Sequence, residues 1–301
     1  MAQPARVPVP NWLKKMLKEA KDSNDAAFQN VFKYTCGSLA EYKLNTICDG
    51  AKCPNRQSCF SKGTATFLIL GKYCTRNCAF CAVDHHPPEP VDADEPRRLK
   101  EAVRTMALKH VVITAVTRDD LPDGGAEHFV NIINELRTLQ DAPIIEVLTS
   151  DFKGDMNAVD KVMAAKPEIF SHNVEMVPRL YTQIRPGALY KRSLEVLKRG
   201  IEKATGGTAI KTGFMLGLGE TFEETIGLLE DLRETGVQML TIGQYLAPTM
   251  RHYPVQRYVE PGEFDEIAAR AYAMGFSSVA SGPLVRSSYH AGDYYSEMNK
   301  K

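Results

Sequence analysis

No apolar run in this 301-residue sequence approaches the roughly 20 residues that a membrane-spanning helix requires, so no membrane helix is expected. An excess of either charge is missing too. The 37 Lys and Arg balance the 37 Asp and Glu, which leaves no basic field to hold the chain on nucleic acid or on an anionic membrane. Met1 to Pro10 is proline-rich and carries no hydrophobic signal region, which leads to the expectation of a cytoplasmic protein. The acid-poor start (Arg6, Lys14, Lys15, Lys18) has one arginine and no serine before Ser23, a poor match to an organelle transit peptide. An even cysteine count is also lacking. Seven cysteines without a signal peptide argue against a disulfide framework and for reduced thiols that bind metal.

Six of the seven stand in two triplets, Cys48-x4-Cys53-x5-Cys59 and Cys74-x3-Cys78-x2-Cys81, with fourteen residues between them. Two three-thiolate sites point to two metal clusters. Three cysteines can hold three irons of a cubane and leave the fourth open to a substrate or cofactor. Zinc is the alternative, but structural zinc usually takes four ligands from C-x2-C pairs. Only Cys78 and Cys81 are so spaced, and zinc would have to recruit His85 or His86 while leaving the other triplet unexplained. Without zinc, both histidines are expected to face solvent from their proline-rich loop. Cys36, the leftover, reads as a small buried residue.

At 44% hydrophobic composition the chain can build one large core. Leu13, Met16, Leu17 and Ala20 behind Asn11 predict an amphipathic helix over 11 to 22. From Tyr34 to Gly63 there is little periodicity, and a segment of this kind would order around its metal. Beyond Gly63, short apolar runs at Thr66 to Leu70, Val111 to Val116, Ile144 to Leu148, Ile169 to Val174, Ala209 to Leu216 and Met239 to Tyr245 predict buried strands. Helices are expected near 93–109, 125–140, 155–165, 189–204, 220–235 and 262–274, with Thr221 ahead of Glu223 and Glu224 at an N-terminus. Six βα units in series imply a parallel sheet, open or curled into a partial barrel, and the fold class expected is α/β, a partial (β/α)6 TIM-like barrel. It carries a cysteine-bearing N-terminal extension (1–63), a barrel (64–245) and a C-terminal extension (246–301) that closes on the site. The ending Ser281 to His290 reads as too polar for a strand. Active sites in such folds form at the carboxyl ends of the strands, and the second triplet begins four residues after Leu70.

The run Cys74-Thr-Arg-Asn-Cys78-Ala-Phe-Cys81, with an aromatic residue before its third cysteine, resembles the radical S-adenosylmethionine (SAM) superfamily. The resemblance implies a [4Fe-4S] cluster whose open iron chelates the amino and carboxylate groups of SAM and cleaves it to methionine and a 5'-deoxyadenosyl radical. It narrows with Cys48-x4-Cys53-Pro-Asn-x3-Cys59, Arg118-Asp-Asp-Leu-Pro-Asp-Gly-Gly-Ala126, His172-Asn-Val-Glu175, Ile184-Arg-Pro-Gly187, Met215-Leu-Gly-Leu-Gly-Glu220, Gly243-Gln-Tyr-Leu246 and Arg286-Ser-Ser-Tyr289. Together these resemble the lipoyl synthase family, over about Tyr34 to Tyr289. One departure is Met176, where the family usually has threonine.

That family implies a sulfurtransferase that inserts sulfur at C6 and C8 of an octanoyl chain on a lysine of a carrier domain. It also implies two [4Fe-4S] clusters. Cys74, Cys78 and Cys81 would hold the cluster that works on SAM, and Cys48, Cys53, Cys59 and a serine the auxiliary one, which supplies the sulfur. The serine role carries to Ser288, with Ser287 the less favoured neighbour and a turn cap the plainer reading. A serine oxygen is a harder, less matched partner for iron than a thiolate, so its iron should leave more readily. Asn173, Glu175 and Arg185 are candidates for the SAM ribose and carboxylate, or else form a structural ion pair inside the barrel. Gly124 and Gly125 would allow close backbone approach, and Phe80 packs on the adenine or plugs the core. Arg76 with Asp119 and Asp120 either tunes the cluster or is solvated.

The implied partners are octanoylated lipoyl carrier domains of 2-oxoacid dehydrogenases and the glycine cleavage system, a small electron donor such as ferredoxin or flavodoxin, and an iron-sulfur carrier for cluster repair. Neither nucleic acid nor membrane is among them. The competing readings are a methylthiotransferase, biotin synthase, or a zinc-stapled binding protein.

Overall fold

The computed structural model describes residues 7–20, 26–289, 292 and 295. Positions 21 and 22 of the expected leading helix, and His290, lie outside the described residues. Eight strands form one sheet in chain order: β1 Asn45–Thr46, β2 Thr66–Ile69, β3 His110–Ala115, β4 Ile144–Leu148, β5 Ile169–Ser171, β6 Ala209–Leu216, β7 Met239–Gln244 and β8 Ser278–Gly282. Only the β1–β2 pair is antiparallel. Parallel pairing needs crossovers, and helices supply them. The helices are α1 Asn11–Glu19, α2 Ala26–Glu41, α3 Ile47–Gly50, α4 Arg56–Ser61, α5 Glu95–Thr105, α6 Ala126–Arg137, α7 Met156–Ala164, α8 Tyr181–Ile184, α9 Tyr190–Lys203, α10 Phe222–Thr235 and α11 Pro261–Ala273.

The six expected βα units are present, from β2 through α11, and β8 adds a seventh parallel strand. The strands are buried almost without interruption, as a sheet covered by helices on one side and closed around its own interior on the other requires. Curling is visible in contacts that join the ends of the strand order. Thr66 Oγ1 on β2 donates to Ser288 Oγ, just beyond β8, at 2.7 Å, and Asn55 Nδ2 donates to the Leu284 carbonyl at 2.6 Å. A flat sheet would hold these residues apart by the width of six strands.

Some elements differ from expectation. The polar ending is a strand as far as Gly282, because β8 pairs with β7 through backbone groups, which polar side chains do not disturb. The segment 26–41 is a helix despite weak periodicity. Its inward face uses Thr35 and Ser38 beside Leu39, and Thr35 Oγ1 discharges its hydroxyl proton on the Phe60 carbonyl at 2.9 Å. β2 stops at Ile69 because Leu70 turns to φ 66°, a left-handed conformation that ends the ladder and starts the cysteine loop. α1 begins behind Pro10 with Asn11 already inside it and without a side-chain cap. α10 starts as expected: Glu224 N donates to Thr221 Oγ1 at 3.2 Å and Thr221 N to Glu224 Oε2 at 2.9 Å, a reciprocal capping box.

Candidate active site

The second triplet lies in the loop between β2 and α5, at the carboxyl end of the sheet. Strands, helices and the C-terminal extension all grip this loop through its backbone. Thr75 N donates to Thr117 O at 3.0 Å, Ala79 N to Ile184 O at 2.8 Å, and Tyr253 N to Ala79 O at 2.8 Å. His252 Nε2 lies 3.0 Å from Cys81 O and His85 Nδ1 2.9 Å from Cys74 O. Arg76 anchors it ionically. Its guanidinium is bidentate to Asp119, at 2.7 and 2.9 Å, and reaches Asp151 at 2.6 Å. Asp151 is fully buried and also meets Arg192 at 3.2 Å. Burial works to raise its carboxyl, but Arg76 outweighs that and holds it at about 2. Arg76 is thus a buried strut, while Asp120 pairs with Arg118 and takes no part in it.

The thiols are poised for a cation. Burial pushes Cys78 up to about 11 against the pull of Arg185, and Cys81 to about 12, with neighbouring cysteines adding to both. Three thiolates cannot coexist in so dry a place unless a positive centre replaces their protons, which suits cluster ligation. Among the described residues no group of three His, Cys, Asp or Glu converges tightly enough for a single metal ion. His85 and His86 are exposed, and His86 packs edge-on against Tyr73.

The first triplet belongs to a different place. Cys48 is on α3, Cys53 follows it, and Cys59 is on α4, and all three line a cavity of about 290 Å³. Ser288 and Arg286 line the same cavity from the other end of the chain. Burial raises Cys48 to about 11 and Cys59 to about 12, the latter pushed further by Cys48 and Cys53. Ser287 points elsewhere: its Oγ accepts from Asn173 Nδ2 at 2.6 Å. The segment 286–288 therefore runs across the barrel interior between the two cysteine sites. Cys36 is half-buried, with its Sγ 3.7 Å from Arg56 Nη2.

Beyond β5, Asn173 is buried with its Oδ1 unpartnered among the described residues. Glu175 is half-buried, and burial raises its carboxyl against the pull of Arg185 and Asn173. Arg185 has no carboxylate within ion-pair distance among the described residues, so the structural ion pair is not formed. Instead Arg185 Nη1 donates to Asn173 O at 3.1 Å and Tyr181 Oη at 3.2 Å. An acceptor, a carboxyl and an unspent cation beside Cys78 fit a zwitterionic nucleoside such as SAM. Gly124 and Gly125 follow β3 in a tightly packed turn. Both have positive φ, and a Cβ would meet Phe152 Cδ1 at 3.0 Å and Leu70 Cδ1 at 2.3 Å, so packing alone already requires glycine at both positions. Phe80 is half-buried against the core, and Met176 is inside it.

Sequence reasoning missed two sets of residues. Asp151, which decides the placement of Arg76, stands outside any motif. Lys211, Glu146 and His110 form a buried chain across β6, β4 and β3, at 2.7 and 3.3 Å, and His110 reaches the auxiliary cavity. Polar residues inside strands were the available signal. The Gly217-Leu-Gly-Glu220 and Gly243-Gln244 runs are structural instead. Glu220 accepts from Gly217 N and Leu218 N at 2.6 and 2.9 Å, and Gln244 ties Leu216, Arg257 and Val259 together. A larger cavity of about 690 Å³ near α10 and α11 is lined by glutamates engaged in such caps and in the Arg257 ion pair, and holds no cysteine.

The Radical SAM superfamily family model matches residues 68–232, just over half of the chain. Lipoyl synthase of Alkaliphilus metalliredigens is 47% identical over 94% of this chain and 94% of its own length. Those of Nitrosospira multiformis and Methylococcus capsulatus are 50% and 55% identical, over 94% and 84% of this chain and 86% and 79% of theirs.

The chain belongs to the lipoyl synthase family. As a radical SAM protein of that family it uses a [4Fe-4S] cluster and SAM. Solved structures show the same fold at low identity. The FeFe-hydrogenase maturase of Carboxydothermus hydrogenoformans superposes with a TM-score of 0.57 at 15% identity, covering 96% of this chain and 68% of that one. Methylornithine synthase gives 0.55 at 12%, covering 86% and 73%. Among the described residues no helix is long and apolar enough to cross a membrane.

Proposed function

We propose that this protein inserts two sulfur atoms, at C6 and C8, into an octanoyl chain borne on a lysine of a lipoyl carrier domain. When bound, a cluster on Cys74, Cys78 and Cys81 with SAM supplies the radical that removes hydrogen, and a second [4Fe-4S] cluster supplies the sulfur. Cys48, Cys53, Cys59 and Ser288 would hold the second. The observation that carries this reading is that Ser288, from the far end of the chain, lines the cavity of the first triplet while Ser287 is turned away to Asn173. Asn173, Glu175 and Arg185 hold SAM, and Phe80 flanks its adenine. Gly124 and Gly125 keep a packing role.

The functional division follows the clusters: 1–63 brings auxiliary ligands, 64–245 the SAM site, and 246–301 the return to the auxiliary cavity. That last part also contributes α11 and β8 to the barrel. A small donor such as ferredoxin or flavodoxin supplies electrons, an iron-sulfur carrier rebuilds the spent cluster, and carriers of 2-oxoacid dehydrogenases and the glycine cleavage system are the substrates. Seven unpaired cysteines suit a reducing cytoplasm. Closure of the barrel mouth around the octanoyl-lysine arm would keep water from the radical.

The test is anaerobic. Reconstituted native chain and Cys48→Ala are incubated with an octanoyl-lysine peptide, SAM and dithionite, and the products are weighed by mass spectrometry. Two added sulfurs in the native reaction, lost in the variant while 5'-deoxyadenosine still forms, are expected. Deoxyadenosine without sulfur from the native chain would overturn the substrate assignment.

A further inference from the structure

His172 sits in the chain between β5 and the SAM-facing residues, fully buried, and touches nothing that a ligand could reach. Its Nδ1 lies 2.9 Å from the Thr149 carbonyl, which can only accept, so Nδ1 carries the proton. The Nε2 lone pair then accepts from the Ser193 hydroxyl at 3.0 Å. With its proton committed to His172, Ser193 Oγ offers a lone pair to Arg185 Nη1 at 3.5 Å. Tyr181 spends its proton on the Val174 carbonyl at 2.6 Å, so its oxygen too accepts from Arg185 Nη1.

The direction of the bonds from Thr149 through His172 and Ser193 to Arg185 is fixed by one neutral imidazole. Burial, with Arg185 next, holds His172 near 4, far below its ordinary value. A protonated ring would have no lone pair for Ser193 and would set a second positive charge beside the guanidinium. Arg185 is consequently held by neutral acceptors, all of them on Nη1. Its Nε and Nη2 have no hydrogen-bond partner among the described residues, while Glu175 and Cys78 lie close enough to act on its charge. A guanidinium held only by neutral groups keeps its charge for an incoming anion.

We propose that His172, acting through Ser193, is a positioning residue that aims Arg185 at the carboxylate of SAM. The inference rests on the reading of Arg185 as a SAM contact. It names His172 and Ser193 as determinants of how the site tells a carboxylate-bearing nucleoside from one without. They do so without touching the ligand.

The test measures binding rather than turnover. Equilibrium dialysis of the cluster-loaded protein compares SAM with 5'-methylthioadenosine, which keeps the adenosine and lacks the amino acid. His172→Phe and Ser193→Ala should each weaken SAM, the former by about ten- to a hundredfold, while 5'-methylthioadenosine binds as before. His172→Gln, whose amide can donate to Thr149 and accept from Ser193, should recover most of the loss. Arg185→Gln separates the two ideas. If it leaves the preference for SAM intact, the reading of Arg185 fails and the inference falls with it. If it abolishes the preference while His172→Phe and Ser193→Ala keep it, the inference alone is overturned. Equal loss of both ligands in His172→Phe and Ser193→Ala would reduce His172 to a packing role and overturn it too.

Discussion

The two cysteine triplets are built in opposite ways. Cys74, Cys78 and Cys81 sit on one short loop, braced by backbone hydrogen bonds from several elements and by the buried Arg76–Asp151 pair. Cys48, Cys53 and Cys59 share their cavity with residues more than 220 positions away, which Thr66 meets at Ser288 and Asn55 at Leu284 through side-chain hydrogen bonds. Under the proposed assignment, a cluster that must survive every turnover suits the first construction, and one that gives up its sulfur and is rebuilt suits the second.

The sharpest way to break this comparison is to remove one thiol from each side. Cys78→Ala should reduce 5'-deoxyadenosine to background, whereas Cys53→Ala should leave its formation intact and abolish only sulfur insertion. Equal effects on deoxyadenosine, read by chromatography, would erase the distinction. Next in size is Arg76→Met, which leaves the fully buried Asp151 with Arg192 as its remaining ion-pair partner among the described residues. Removing one partner of a buried pair costs about 3–5 kcal/mol, to be read from urea unfolding. Loading should fall from about eight irons per chain to about four, because the first triplet has no contact with this strut.

A pH effect of similar scale belongs to the SAM side alone. His172 is held near 4 by burial and Arg185, with Asp151 and Arg76 also acting on it, and its ordinary value is 6.5. The unfolded chain therefore takes up a proton at pH values where the folded chain does not. Stability from this group is intact above 6.5 and declines as pH falls toward 4, by about 3 kcal/mol in all. Unfolding midpoints from pH 7 to 4 should shift in the native protein and shift less in His172→Gln. The smallest effect is Thr66→Val, which removes the hydroxyl from Ser288 at a cost of about 1 kcal/mol. Its signature is spectroscopic: the auxiliary cluster signal should change and the SAM-dependent one should not.

Much of the barrel was legible because a parallel sheet writes itself as repeated apolar runs of strand length between helical stretches. The six βα units and the α10 N-terminus at Thr221 were legible from such local signals. β8 was not, because Ser278, Ser281 and Gly282 carry no apolar run, and α2 was not, because its buried face includes Thr35 and Ser38. Cysteine spacing displayed both triplets. It could not show that Phe152 and Leu70 pack against Gly124 and Gly125 where a Cβ would stand.

By itself, the sequence determined the ligand types, their spacing, and the order of strands and helices, since each depends on residues close together in the chain. Only the tertiary structure decided that Ser288 rather than Ser287 faces the first triplet, that Asp151 holds Arg76, and that Arg185 is left without a carboxylate. These are hydrogen bonds and ion pairs between segments up to 229 residues apart. They leave no periodic trace in the sequence, and the curl of the sheet sets which side chains meet.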